Sequence, residues 1–415
     1  MEDRERRPGK NVVDRSEGRL GERLLGRLLD RAHEMPPQLI APMIAEEVAG
    51  IGGREVSILL QDYGRELLVP LPGLRLLVGE PQEIADSPAG TAFLRATTVE
   101  VAQADGVRMY LPLLDDSDEV GVLALTLDTV DDDDRRLMRR LASLVADILA
   151  TKHAYTDLFF QARRREPMSV AAEMQWSLLP PLTMSVPQVA VGGAVDPSYD
   201  IAGDSFDYAL NDNILHAAVI DAMGHALDAA TMATVAIGAY RHARRAGIGL
   251  AEMYRYMDQA IAEQFGPDHF VTAQMMNLDI TTGLFQWVNA GHPLPLLIRD
   301  KEVIRQLEGP TTLPVGLGGT CPSISHLQFQ RGDQVLCYTD GVIEERDAHG
   351  QPFGEQRLIR CINQLEHQDG GMRAKALQLS NALKQERGGH TSDDATLFLI
   401  KWHGETADHL AALQE

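Results

Sequence analysis

Residues 202–230, AGDSFDYALNDNILHAAVIDAMGHALDAA, decide the fold of the larger part of this chain. Two acidic turns bracket Ile214 to Ile220, an apolar run of strand length, and an alanine-rich helical stretch follows at once. Asp204 and Asp207 stand in a glycine-containing turn, Asp221 ends the apolar run, and the chain turns again at Gly224. A carboxylate placed where a buried strand stops is fixed by the sheet. Several of them converging repel one another unless a divalent cation neutralises them. The stretch therefore reads as the near half of a metal site.

Three further motifs place acids beside short apolar runs in the same way: VIDAMGH repeats the reading for Asp221, CYTDGV carries Asp340, and TSDDAT carries Asp393 and Asp394. Any one of them alone is an ordinary turn, because Asp and Gly both suit tight backbone conformations. Together on one sheet they are specific. Hard oxygen ligands suit magnesium or manganese, and two such ions sharing a carboxylate acidify the water between them and hold a phosphate for in-line attack. The surrounding pattern supplies the sheet: Val271 to Asp279 and Leu284 to Val288 form a hairpin about ITTG, and Leu294 to Ile298, Gln334 to Tyr338 and Ala395 to Trp402 are further strands. Helices are expected over 224–246, ended by Gly247, over 251–265, and from about Gly354 and Arg373. The expected architecture is a two-layer sheet core with helices outside.

The ordered set AEMQWSLLP, AGDSFD, DAMGHALDAA, FVTAQMMNLD, NAGHPLPLLI, LPVGL, GDQVLCYTDGVIE and SDDATLFLI, from about Ala171 to Trp402, resembles the metal-dependent type 2C protein serine/threonine phosphatases of the SpoIIE branch. The resemblance implies an α-β-β-α sandwich of two mainly antiparallel sheets flanked by helices. It implies two Mn2+ or Mg2+ ions bridged by Asp221, assisted by the backbone carbonyl of Ala222, with Asp204, Asp340 and Asp393 completing the coordination. Asp394 is the alternative to Asp393. The implied substrate is phosphoserine or phosphothreonine on a regulatory protein, such as an anti-sigma-factor antagonist. Where the family usually has Gly-His-Gly after the bridging acid, this chain has Gly224, His225 and Ala226, and Asp228 replaces the usual Gly or Pro. Ala226 is tolerated with helical dihedrals but not with a positive φ. His225 and His292 are candidate general acids, though bracing a turn by hydrogen bonding explains each of them as well.

Upstream, leucines recur at helical spacing from Leu20 to Leu29, and a second helical pattern runs from Leu39 to Val48 until Gly50 to Gly53 stop it. Short strands are expected at Val56 to Leu60, Leu67 to Pro70, Leu74 to Gly79, Met109 to Leu114 and Val120 to Leu127, with a helix from Ile84 to Arg95. This order, with AGTAF before the GVRMYLPLL and EVGVLALTL pair, resembles a GAF-type sensor domain; a packed module serving only protein contact is the alternative. Asp131 to Asp134 suit the N-terminus of a helix. Leu137, Leu141, Leu144, Ile148, Tyr155 and Leu158 then form a heptad-like seam. That seam is open to two readings, a coiled coil joining a homodimer or packing on its own domain.

The division expected is α/β multidomain: a tail over 1–18, a GAF-like domain over 19–133, a helical linker over 134–168, the phosphatase-like domain over 169–403 and a tail over 404–415. In 415 residues, 44% hydrophobic and 24% charged, more than one core can be buried. The net charge of -22 argues against nucleic acid, whose phosphates need clustered Lys and Arg. Three scattered cysteines suit a reducing cytoplasm rather than a disulfide framework, and no apolar stretch is long enough to span a membrane. Cys321, Cys337 and Cys361 are followed six positions on by Leu327, Ile343 and His367, so no arginine closes a phosphate-cradling cysteine loop, and no GxxxxGK[ST] loop is present. A metal-binding scaffold acting by contact and a small-metabolite phosphatase remain as competing functions.

Overall fold

The computed structural model describes residues 18–115, 118–319, 322–345, 351–365, 371–386 and 394–404. The chain divides into two units, one running to Arg164 and the other beginning at Arg165.

The first unit runs α1 (Gly18–Glu34), α2 (Pro37–Gly50), β1 (Arg54–Gln61), β2 (Leu67–Pro70), β3 (Gln82–Glu83), α3 (Pro88–Arg95), β4 (Val99–Gln103), β5 (Gly106–Asp115), β6 (Asp118–Leu127), α4 (Asp132–His153) and α5 (Leu158–Arg163). Its six strands form one sheet in the order β3-β2-β1-β6-β5-β4. Val56, Ile58 and Leu60 alternate onto the face covered by α1, α2 and α4, as a period of two requires. The strand expected over 74–79 does not form. Pro72 and Gly73 open a turn there and Arg75 takes a φ of +67°, so the segment meets β1 at Leu77, whose amide donates to the Val56 carbonyl at 2.7 Å, without forming a ladder.

Asp131 caps α4, accepting from the Asp134 amide at 2.8 Å while the Asp134 carboxylate accepts from the Asp131 amide at 3.2 Å. The acidic run thus serves the helix start. The seam of α4 faces its own unit: Leu141 and Ile148 are buried in the core, and Leu137, Leu144 and Leu158 pack against it. The helix stops at His153, before Tyr155. Of the two readings of the seam, packing on its own domain is what α4 displays.

The second unit runs α6 (Val170–Leu178), β7 (Thr183–Ser185), β8 (Val189–Asp196), β9 (Asp204–Asn211), β10 (Ile214–Ala222), α7 (Ala226–Arg245), α8 (Leu250–Phe265), β11 (Val271–Asp279), β12 (Leu284–Ala290), β13 (Leu296–Arg299), β14 (Glu302–Gln306), β15 (Thr311–Thr312), β16 (Ser325–Gln328), β17 (Gln334–Tyr338), α9 (Gly341–Glu344), α10 (Glu355–Leu365), α11 (Met372–Glu386) and β18 (Ala395–Trp402). One sheet orders β15-β12-β11-β10-β9 with β16 beside β12, and the other β14-β13-β17-β18-β8-β7. Between them lies an apolar layer including Phe206, Val219, Met276, Phe285 and Trp287 from the first sheet and Val191, Val335, Phe398 and Ile400 from the second. Helices α7 and α8 cover the outer face of the first sheet, and α10 and α11 that of the second. The result is the expected α-β-β-α sandwich.

Candidate metal centre

Strand alternation sorts the acids of the 202–230 stretch. On β9, Asp204 and Phe206 point between the sheets while Ser205 and Asp207 point outward, because successive side chains leave a strand on opposite faces. Asp207 therefore leaves the site. It is 1% exposed and holds Arg241 at 2.6 Å and Arg244 at 2.6 Å on α7, clamping that helix to the sheet. Its place in the acidic turn reflects packing of α7 rather than metal ligation.

Asp204 is also 1% exposed and lies directly opposite Asp221 in the β9–β10 register. Thr339, at the end of β17 in the other sheet, donates its hydroxyl to Asp204 Oδ2 at 2.6 Å and accepts from the Thr396 amide at 2.8 Å. Asp340 follows at once and heads α9 without capping it. The strand ends of both sheets thus bring Asp204, Asp221 and Asp340 to one end of the sandwich. Asp393 lies outside the described residues. Its neighbour Asp394 accepts through Oδ2 from the amides of Ala202 at 2.8 Å, Gly203 at 2.7 Å and Asp204 at 3.4 Å, so this carboxylate fixes the turn that presents Asp204.

Burial raises the pKa of Asp204 well above the usual aspartate range, and the charges of Asp221 and Asp394 push it the same way. Three carboxylates so disposed are costly to ionise together, and a bound cation removes that cost. Among the described residues no group of three or more His, Cys, Asp or Glu side chains is close enough to hold an ion together. The set is nevertheless all oxygen, and its chemistry fits a hard divalent cation. Ala222 is 2% exposed, and its carbonyl oxygen sits where a Cβ on Gly203 would come within 2.6 Å, so only glycine at 203 admits that approach.

After Asp221, Gly224 has a φ of +102° and Ala226 a φ of +55°. The condition for tolerating alanine at 226 is therefore not met, and this residue carries left-handed strain. Asp228 lies in the first turn of α7, where negative charge is favoured. His225 is exposed and makes no side-chain capping bond, so bracing the turn does not account for it. His292 does belong to a braced turn: its amide donates to Asn289 Oδ1 at 3.0 Å, and Asn289 Nδ2 donates back to its carbonyl at 2.8 Å. Burial drops its pKa to about 3, so the ring is neutral.

Sequence reasoning did not find Thr339, which carries no motif of its own beyond preceding Asp340. Nor did it find Gln175, whose amide donates to the Ala202 carbonyl from α6. Both contacts join segments distant in sequence and are visible only in the folded chain. The cysteines described, Cys337 and Cys361, are buried, and burial pushes the Cys337 thiol up, which suits no nucleophile.

Residues 211–403 match the family model of stage II sporulation protein E (SpoIIE). The phosphoserine phosphatase RsbP of Bacillus subtilis (strain 168) is 24% identical over 249 residues, 58% of this chain and 59% of RsbP. The phosphoserine phosphatase RsbU of the same organism is 20% identical over 246 residues, 58% of this chain and 71% of RsbU. The chain thus spans little more than half the length of RsbP. Among solved structures, the RsbU and RsbW domains of Rv1364c from Mycobacterium tuberculosis align at 27% identity with a TM-score of 0.47, over 53% of this chain and 63% of that one. Within the second unit, residues 211–403 are thus similar to the SpoIIE family, and two relatives of the chain are named as phosphoserine phosphatases.

Proposed function

We propose that the chain is a metal-dependent protein serine/threonine phosphatase acting on a phosphorylated regulatory protein in the cytoplasm, with an anti-sigma-factor antagonist as the first partner to test. The observation that carries this reading is the buried Asp204 set in register against Asp221, with Asp340 delivered to the same end by the opposite sheet. Asp221, Asp204, Asp340, Asp393 and the Ala222 carbonyl are the proposed ligands of two Mn2+ or Mg2+ ions. Such ions, when bound, supply a more acidic water and neutralise phosphate oxygens.

The protein's own groups do the rest. Thr339 and the Asp394-bound turn hold Asp204 in place, so the ligand loses little freedom on binding. His225, exposed and unused in capping, is the proposed donor of a proton to the departing seryl oxygen. The first unit is proposed as a GAF-like sensor and the assembly as a homodimer. RsbP and RsbU, the relatives named as phosphoserine phosphatases, support the substrate class.

The test is a panel of phosphate release from a phosphoserine protein, a phosphoserine peptide and small phosphorylated metabolites, each with and without Mn2+. The expected result is metal-dependent turnover with preference for the phosphoprotein. Turnover of metabolites alone assigns a metabolite phosphatase, and no turnover of any substrate assigns a scaffold.

A further inference from the structure

The chain passes from the first sheet to the second between the end of β12 at Ala290 and the start of β13 at Leu296. His292 sits in that passage and is 5% exposed. Its Nδ1 lies 2.9 Å from Thr272 Oγ1, and Thr272 is the register partner of Asp221 on the neighbouring strand. Beyond the passage, Leu296 pairs with Leu336 on β17, which ends at Tyr338, two residues before Asp340. The other ring nitrogen, Nε2, is buried and makes no hydrogen bond among the described residues. One buried ring, tied to the strand beside Asp221, therefore sits in the passage that leads to the partner of the strand preceding Asp340.

Nothing about filling the space between two apolar sheets requires an imidazole there, and a leucine would avoid burying ring nitrogens. The surrounding backbone is tightly constrained. Gly291 has a φ of +71° and bridges to Ala273, next to Thr272, and a Cβ on it would meet the Pro314 ring at 2.7 Å. Asn289 locks the turn on both sides of His292.

We propose that His292 is a positioning residue: a strut between the sheets, tied to Thr272, that sets the separation of Asp221 and Asp340 and through it the affinity and spacing of the two divalent ions. This rests on the metal reading above. A rigid strut narrows the range of separations the acids sample, so its loss weakens binding without removing a ligand.

The experiment uses the full chain and Mn2+ alone, with calorimetry for affinity and electron paramagnetic resonance for coupling between paired ions. His292→Leu and Thr272→Val are each expected to weaken Mn2+ binding by about three- to tenfold, the range of one lost buried hydrogen bond, and to alter the pair coupling. His292→Asn, whose amide can reach the position of Nδ1, is expected to recover binding to within about twofold of wild type. The double variant His292→Leu with Thr272→Val is expected to bind no more weakly than either single one, because both remove the same link. Thr272→Val keeps the side-chain volume, so it tests the strut even if His292→Leu fails to fold. Wild-type affinity and coupling in Thr272→Val, or additive losses in the double variant, overturn the strut. A wild-type chain that binds no Mn2+ overturns the metal reading itself, a different outcome from binding that the variants leave unchanged.

Discussion

Replacing Ala226 by glycine should stabilise the second unit, the reverse of what the same change does inside a helix. Ala226 opens α7 with a φ of +55°, where an L-residue with a Cβ costs about 1–2 kcal/mol. Glycine removes that strain but gives back about 0.5–1 kcal/mol of extra freedom in the unfolded chain. The net expectation is a gain of about 0.5–1 kcal/mol, against a loss of about 0.5–1 kcal/mol were Ala226 in ordinary helical geometry. The assay is selective because the protein's three tryptophans all lie in the second unit, Trp287 and Trp402 in the inter-sheet core and Trp176, on α6, packed against it. Their fluorescence reports on this unit alone. With a urea slope of about 2–3 kcal/mol per molar, the midpoint should rise by about 0.2–0.5 M. A lower midpoint for Ala226→Gly refutes the strained turn.

Two other outcomes follow from the buried charges. Asp207→Asn should cost about 3–5 kcal/mol in the same fluorescence assay, because it leaves Arg241 and Arg244 without their carboxylate, yet the surviving fold should bind Mn2+ normally; a selective loss of Mn2+ binding would return Asp207 to the metal site. The pKa of Asp204 is raised, so in the metal-free protein its contribution to stability is present below the unfolded aspartate pKa and lost as pH rises through the folded value. Mn2+ competes with that proton. The rise in Tm that Mn2+ produces should therefore grow as pH rises above the usual aspartate range, and a rise independent of pH contradicts the coupling.

The sandwich was legible because its signals are local. Val271 to Asp279, Gln334 to Tyr338 and Ala395 to Trp402 are apolar runs bounded by turns, and each forms a strand over the residues expected. Asp204 and Asp221 were legible for the same reason, each lying at a strand end. Asp207 was misread because a turn motif does not show which face a carboxylate takes, and that is settled by α7 delivering Arg241 and Arg244 opposite it. The strand expected at 74–79 failed because its leucines suit a strand but the turn from Gly73 and the positive φ at Arg75 break the extended run, leaving a contact of Leu77 with Val56 and Ser57 in place of a ladder. Strands β14, β15 and β16 are short and polar, with little periodicity to find. The positive φ at Ala226 was beyond reach, since alanine ordinarily signals helix.

The most direct test of the account is phosphate release from a phosphoserine protein by the wild-type chain and by Asp221→Asn, each titrated with Mn2+ after EDTA treatment. An amide supplies no negative charge to share between two cations, so the variant should keep its fold and lose activity by at least about a hundredfold at saturating Mn2+. A folded Asp221→Asn variant that turns over at the wild-type rate contradicts the claim that this carboxylate organises the site.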